Sequence, residues 1–199
     1  MKLIKRHKPE TFEEIKGQQK SIEIIENMIE YENIPNILLY GPPGTGKTTT
    51  AKLFAQNITE TYSVVNASKD GRVEDIRETI EPMSMNGSLS MSKKVILFDE
   101  FEYMSDDAQH ALRNVMDSSS AIFIGTCNNI EKIIDPIQSR FTKLHFDYLN
   151  NEEIESIVRS VCDEQNIDLG DYQIGEIVKN SGGDARDAIG ELNKWVKVK

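Results

Sequence analysis

Cysteine is nearly missing from this chain: Cys127 and Cys162 are the only two in 199 residues. Two cysteines exclude a disulfide framework and a cysteine-based zinc site, and they suit a reducing compartment. Long apolar runs are lacking as well. No stretch reaches the 18 residues that a membrane-spanning helix needs, so no membrane partner is expected. The start, Met1-Lys-Leu-Ile-Lys-Arg-His-Lys, is basic but has no apolar core segment, so it is not expected to act as a signal peptide. Net positive charge is absent too. The formal charge is −10, with 17 basic against 22 acidic residues up to position 150 and 6 against 11 beyond it. An acidic chain is not drawn to nucleic acid by its overall field, so any such contact needs a local basic patch. Aromatics make up 7% and apolar residues 38%, which allows one ordinary core and a small second one.

What is present centres on Leu38 to Thr49. A short apolar run leads into Gly41-Pro42-Pro43-Gly44-Thr45-Gly46-Lys47-Thr48, which fits G-x-x-x-x-G-K-[ST]. Glycines let successive backbone N–H groups converge on one anion, and the helix that follows adds its positive end. Pro42, Gly44, Thr45, Gly46, Lys47, Thr48 and Thr49 are therefore candidate phosphate-binding residues. Lys47 places a point charge on the β and γ phosphates, and the Thr48 hydroxyl is a candidate ligand for Mg²⁺.

Along the chain, helices are predicted over 18–32, 47–57, 73–80 and from Ser105 to about 117, and strands over 37–40, 62–65, 94–98, 121–126 and 144–146. Thr11 and Glu14 have capping-box spacing. Pro82 is expected to end the helix before it, with 82–92 a polar connector containing three methionines. Strands alternating with helices imply an α/β fold with a mostly parallel sheet covered on both faces. From Asn150 the pattern is helical only, over 151–163, 172–180 and 185–196, with Asp184 placed to cap the last. The expected division is an α/β nucleotide-binding domain over 1–149 and a small helical lid over 150–199.

Val95-Ile96-Leu97-Phe98-Asp99-Glu100 is an apolar strand ending in two carboxylates. At the C-terminal edge of a parallel sheet such residues face the ligand. Asp99 is a candidate for holding Mg²⁺, and Glu100 for polarising the water that attacks a γ-phosphate. Glu102 reads as a surface residue. Thr126-Cys127-Asn128-Asn129 ends the next strand, where a side-chain amide can bond the γ-phosphate or position the water; both asparagines stay open for this role. Asp135-Pro136-Ile137-Gln138-Ser139-Arg140 places an arginine after a short turn, a candidate to reach a neighbouring subunit's phosphate. Arg186 sits in the first turn of the last helix, where a cation is unfavourable unless it faces an anion.

In this order the motifs resemble the AAA+ ATPases, and more narrowly the small subunits of sliding-clamp loaders (replication factor C and its phage and archaeal relatives). The resemblance covers nearly the whole chain. It implies a RecA-like sheet with a helical lid, ATP and Mg²⁺ as ligands, and ATP hydrolysis completed between subunits. Lys8-Pro9-Glu10-Thr11-Phe12-Glu13-Glu14-Ile15-Lys16-Gly17-Gln18 matches the family's opening, which makes Pro9, Ile15 and Gly17 candidates for enclosing adenine. Asn128 matches the phosphate sensor on the sheet, Arg140 the arginine acting in trans, and Gly183-Asp184-Ala185-Arg186 the sensor on the lid. Lys47, Glu100, Asn128 and Arg140 then carry catalysis. Asn66-Ala67-Ser68 looks like the start of the family's DNA-facing segment, so Arg72, Arg77 and Arg113 are candidate contacts to duplex backbone. Gln109 is implied to couple DNA contact to the ATP site.

The implied partners are a sliding clamp, primer–template DNA and further loader subunits, in the cytoplasm or nucleus. This chain has Asn114 where the family carries a basic residue, and Phe141 where it usually has cysteine. Family members continue into a helical collar that holds a pentamer; the expectation is that this chain lacks it and does not assemble stably alone. Other AAA+ machines (a Holliday-junction motor, a helicase loader), a nucleotide-binding scaffold without turnover and a simple P-loop kinase are the competing classes.

Overall fold

The computed structural model describes residues 8–85 and 93–196. In chain order the elements are α1 (Gln19–Glu30), β1 (Ile37–Tyr40), α2 (Lys47–Ile58), β2 (Ser63–Asn66), α3 (Ala67–Asp70), α4 (Val73–Asp75), a π-helical turn (Ile76–Ile80), α5 (Glu81–Met85), β3 (Val95–Asp99), α6 (Asp106–Ser118), β4 (Ile122–Cys127), α7 (Asp135–Gln138), β5 (Thr142–His145), α8 (Asn151–Gln165), α9 (Asp171–Ser181) and α10 (Ala185–Trp195). The five strands form one parallel sheet in the order β2-β3-β4-β1-β5.

Side chains on a strand alternate between faces, and the core obeys that period. Ile37 and Leu39 of β1 join Leu97, Ile124 and the α1 and α2 residues Ile25 and Phe54 on one face. Leu38 points the other way, with Ile96, Phe98, Phe123 and the α6 residues Ala108 and Leu112. On that second face Phe98 stacks on Phe101 with ring centres 5.2 Å apart, and Phe101 meets the edge of Phe141 at 6.0 Å. Phe141 thus fills this layer with a large ring. Both faces being covered explains why the central strands read as unbroken apolar runs. A third cluster, Leu149, Ile154, Val158, Ile177, Ala188 and Leu192 among its members, joins α8, α9 and α10 to one another.

Local chemistry sets the helix starts. The Ser105 hydroxyl accepts the Ala108 N–H, and Asn150 and Glu153 exchange bonds of 2.8 and 2.9 Å in a capping box at α8. Asp184 accepts the N–H groups of Arg186 and Asp187 at the head of α10, as its spacing predicts.

Two expectations fail. Pro82 does not end its helix: the chain runs from α4 through the π-helical turn into α5, so 82–85 is helical. Pro82 lies inside this continuous helical run directly after the π-helical turn Ile76–Ile80, whose wider turn relaxes the regular hydrogen-bond ladder that a proline would otherwise break. The remainder of the expected connector, 86–92, lies outside the described residues. Thr11 and Glu14 form no capping box: residues 10–15 make turns, and Glu14 instead accepts the Glu10 N–H at 2.7 Å.

Candidate functional site

The phosphate-loop residues Gly44–Thr49, the strand-end residues Asp99, Glu100 and Asn128, and Pro9, Ile15 and Arg186 converge on one cavity of about 570 Å³ at the C-terminal edge of the sheet. Its floor is the loop between β1 and α2, contributing Gly44, Thr45, Gly46, Lys47, Thr48 and Thr49. The loop lies tight against the sheet. A Cβ at Gly41, whose φ is +138°, would overlap the Phe146 carbonyl oxygen. Gly46 begins α2 with φ +99° and no side-chain cap, so the first N–H groups of α2 are left for a ligand. Pro42 is not part of the cavity wall. Its carbonyl accepts the Thr45 hydroxyl at 2.9 Å and one bond from the Lys47 ammonium, so it shapes the loop from behind.

Lys47 is buried and also donates to the Gly41 carbonyl at 2.8 Å. Burial, helped by the nearby Arg186 charge, pushes its ammonium down to about 8, against the opposing pull of Cys127, Glu102 and Asp184. The Cys127 thiol is pushed up to about 12, chiefly by burial and then by Glu102. Burial thus favours the protonated thiol over the thiolate, the form that acts as a nucleophile.

The ends of β3 and β4 supply the opposite wall. Asp99 Oδ1 accepts the Thr48 hydroxyl at 2.7 Å and the Thr126 hydroxyl at 2.6 Å. One hydroxyl and one carboxylate are hard oxygen donors, and this small set suits Mg²⁺, which completes its octahedron with water and phosphate oxygens. Among the described residues no cluster of three or more His, Cys, Asp or Glu offers an all-protein cage. Glu100 lines the cavity with φ +58°, a left-handed conformation rare outside glycine and frequent at functional sites.

Asn128 lines the cavity; Asn129 does not, because its side chain caps the turn 130–132 by accepting the Glu131 N–H at 2.9 Å. Glu102 corrects the surface expectation. It is 7% exposed, lines the same cavity, and its Oε1 accepts both the backbone and side-chain N–H of Asn128. Its burial comes from the fold of the turn after β3 against the end of β4, which local polarity does not reveal.

The roof comes from α10 and the N-terminal segment. Arg186 and Ile189 line it, as do Pro9 and Ile15. Gly17 does not reach this cavity: it packs against Leu149 and Glu153 beside a separate hollow. Gly44 ties floor to roof. The Ala185 N–H donates to the Gly44 carbonyl at 3.1 Å, and a Cβ on Gly44 would overlap the Asp184 carboxylate.

The remaining candidates lie elsewhere. Arg140 is held by Asp117 of α6, and Arg113, one turn earlier on that helix, has Nε 3.9 Å from the same carboxylate. Arg72 and Arg77 are exposed, and neither they nor Arg113 line the cavity. Gln109 is fully buried, donating to the carbonyls of Met104 and Lys132 and accepting the Ile134 N–H. Sequence reasoning missed Thr126 and Asp117. Thr126 sits inside the stretch 126–129, where only the amides drew notice; nothing local marks Asp117.

A phosphate loop, an Asp-Glu pair at the end of the third strand and an arginine on a helical roof define a P-loop nucleotide-binding ATPase architecture. The chain belongs to the ATPase family associated with various cellular activities, AAA, whose model matches residues 37–148. It is 32% identical over 197 residues to a replication factor C small subunit of Archaeoglobus fulgidus, covering 95% of this chain and 62% of that protein. It is 33% identical over 199 residues to replication factor C subunit 4 of Encephalitozoon cuniculi, covering 98% and 64%. The chain therefore spans less than two thirds of the length of these relatives. The fold matches the Thermotoga maritima RuvB Holliday junction branch migration motor with a TM-score of 0.78, at 21% identity, over 92% of this chain and 63% of that one. Among the described residues no helix is long and apolar enough to cross a membrane.

Proposed function

We propose that this chain is the ATP-hydrolysing part of a sliding-clamp-loader subunit, acting in replication with other loader subunits in the cytoplasm or nucleus. The observation that carries the proposal is the convergence of Lys47, Thr48, Asp99, Glu100, Asn128 and Arg186 on one cavity, in a chain similar along its length to replication factor C small subunits. We divide it into a nucleotide-binding body, 1–149, and a helical lid, 150–199.

The first N–H groups of α2 and the Lys47 ammonium hold the β and γ phosphates. Thr48 and Asp99 hold Mg²⁺, which when bound neutralises phosphate charge. Pro9 and Ile15 enclose the base. Glu100 accepts a proton from the attacking water, and the Asn128 amide senses the γ-phosphate. Arg186 links the state of the nucleotide to the position of the lid. Arg140 completes a neighbour's site, so each chain carries half of the machinery its neighbour needs. Arg72, Arg77 and Arg113 contact duplex phosphates without reading sequence, and Gln109 couples that contact to the ATP site. In the ATP-bound assembly the clamp opens and primer–template DNA is gripped; hydrolysis releases both.

The test is ATP turnover by the full natural protein with clamp and primed DNA. Both should stimulate turnover, and Glu100→Gln should lower the stimulated rate about 10²–10⁴-fold while ATP still binds. An unchanged rate in Glu100→Gln overturns the mechanism. Capture of a hexameric helicase instead of a ring clamp overturns the clamp-loader assignment.

A further inference from the structure

Glu102 is the one buried carboxylate in the cavity wall that the mechanism above leaves without a part. It lies in the short turn after β3, only two residues beyond Glu100. Its Oε1 accepts two bonds from a single residue: the Asn128 backbone N–H at 2.9 Å and the Asn128 Nδ2 at 2.9 Å. Its Oε2 is buried with no hydrogen-bond partner among the described residues. Burying a carboxylate and leaving one oxygen unsatisfied costs stability. The neighbouring Tyr103 is largely exposed, so solvent is close by.

Glu102 Oε1 already accepts the Asn128 backbone N–H, so the atom of the Asn128 amide that bonds it is the NH₂ group. That removes the twofold ambiguity of an amide, whose two ends are nearly equal in size and opposite in hydrogen-bonding sense. The grip on the backbone N–H as well fixes where the side chain starts. Asn128 is left with one free N–H and its Oδ1, in a set orientation, at the edge of the cavity.

We propose that Glu102 is a positioning residue that locks Asn128 in the orientation its phosphate-sensing role requires. The proposal rests on that role of Asn128 under the proposed function. It separates Glu102 from Glu100: one aims an amide, the other takes a proton.

The experiment compares steady-state ATP turnover and ATP affinity for Glu102→Ala, Glu102→Met and Glu102→Gln in the full protein and its natural assembly. Alanine and the volume-keeping methionine both remove the acceptor and should lower kcat about 10–100-fold, with the Kd for ATP within about threefold of wild type. Glutamine keeps an acceptor oxygen and should restore kcat to within about threefold of wild type. In Glu102→Ala combined with Asn128→Ala, the rate should match that of Asn128→Ala alone. If Asn128→Ala is slow but Glu102→Ala and Glu102→Met turn over normally, the positioning role is overturned and the function reading stands. If glutamine is as slow as alanine, the charge matters and not the aim, and the positioning role is again overturned. If Asn128→Ala is itself normal, the sensing role fails and the inference falls with it.

Discussion

Arg140 grips Asp117 with two parallel hydrogen bonds, Nε to Oδ1 at 2.7 Å and Nη2 to Oδ2 at 2.8 Å, while its Nη1 donates to the Pro136 carbonyl at 2.6 Å. The fork of a guanidinium matches a carboxylate in this geometry, which fixes direction as well as distance. The pair holds the Asp117 carboxyl below its usual range and the Arg140 guanidinium above its own, in each case mainly through the hydrogen bond between them. Arg113 shares the same carboxylate at 3.9 Å. A residue proposed to act on a neighbour's phosphate is therefore held by its own chain, from the helix that carries a proposed DNA contact. Both partners are partly exposed, so the pair adds little to folding. Its expected effect is on rate. Arg140→Ala should lower assembly-dependent turnover about 10³–10⁵-fold. Asp117→Ala, which keeps the arginine but frees it from its fixed orientation, should cost about 10–100-fold. Thermal melting and ATP binding by the isolated chain should barely move in either variant.

Lys47 gives the site a pH dependence whose sign follows from burial. Its ammonium titrates near 8 in place of 10.5. Phosphate oxygens favour the charged form, so ATP binding takes up a proton above pH 8. The Kd for ATP should rise by up to about tenfold per pH unit above 8 and be flat below it. Folding runs the other way. Between pH 8 and 10.5 the unfolded chain holds the Lys47 proton and the folded chain does not, so stability rises with pH across that window. Against Lys47→Met, which lacks the titration, wild type should gain on the order of 3 kcal/mol from one end of the window to the other. Isothermal titration of ATP and urea melts at several pH values check the two halves separately.

How much of this was legible from residues alone depends on how local each cause is. The phosphate loop and Asp99-Glu100 are contiguous, and their flanking strands read as apolar runs because both faces of β1 and β3 are covered. Asp184 could be placed as a cap because a cap bonds residues two and three positions on. Glu102 could not be placed, because its burial needs the turn after β3 to meet Asn128, 26 residues away. Asp117 and Arg140 are 23 apart and belong to different elements, so nothing near either marks the pair. Pro82 misled for a related reason: a proline breaks the regular hydrogen-bond ladder of a helix, and no single residue marks the π-helical turn that widens the ladder just before Pro82. Gly17 lies only two residues from Ile15, yet the chain turns between them and puts it against Leu149.

The bond from the Ala185 N–H to the Gly44 carbonyl makes the phosphate loop and the head of α10 one surface. Gly44 has φ +69°, and its missing Cβ leaves room for Asp184. Gly44→Ala should therefore strain the backbone and push α10 off the loop together. A stability loss of about 1–3 kcal/mol is expected in urea denaturation. Nucleotide affinity should fall about tenfold or more, because Arg186 moves with the head of α10. A variant that melts lower but binds ATP normally would show that the loop tolerates the strain without disturbing α10.

Gln109 offers the sharpest separation of stability from coupling. It has no exposure, and its three hydrogen bonds reach Met104 just ahead of α6, Lys132 beyond β4, and Ile134 just ahead of α7, which leads to Arg140. One side chain thus ties α6, with Arg113 and Asp117 further along it, to the segment between Asn128 and Arg140. Removing it by Gln109→Ala strands buried carbonyls and an N–H and leaves a void, so a loss of about 2–4 kcal/mol is expected. Gln109→Glu keeps the volume and the acceptor for the Ile134 N–H but removes both donors, placing a carboxylate beside two carbonyls. It should destabilise comparably without creating a cavity. If the side chain only braces the fold, ATP turnover without DNA and its stimulation by primed DNA should fall in proportion in both variants. If it transmits DNA contact, the stimulation ratio should drop about tenfold at a temperature where both variants remain folded, with basal turnover preserved.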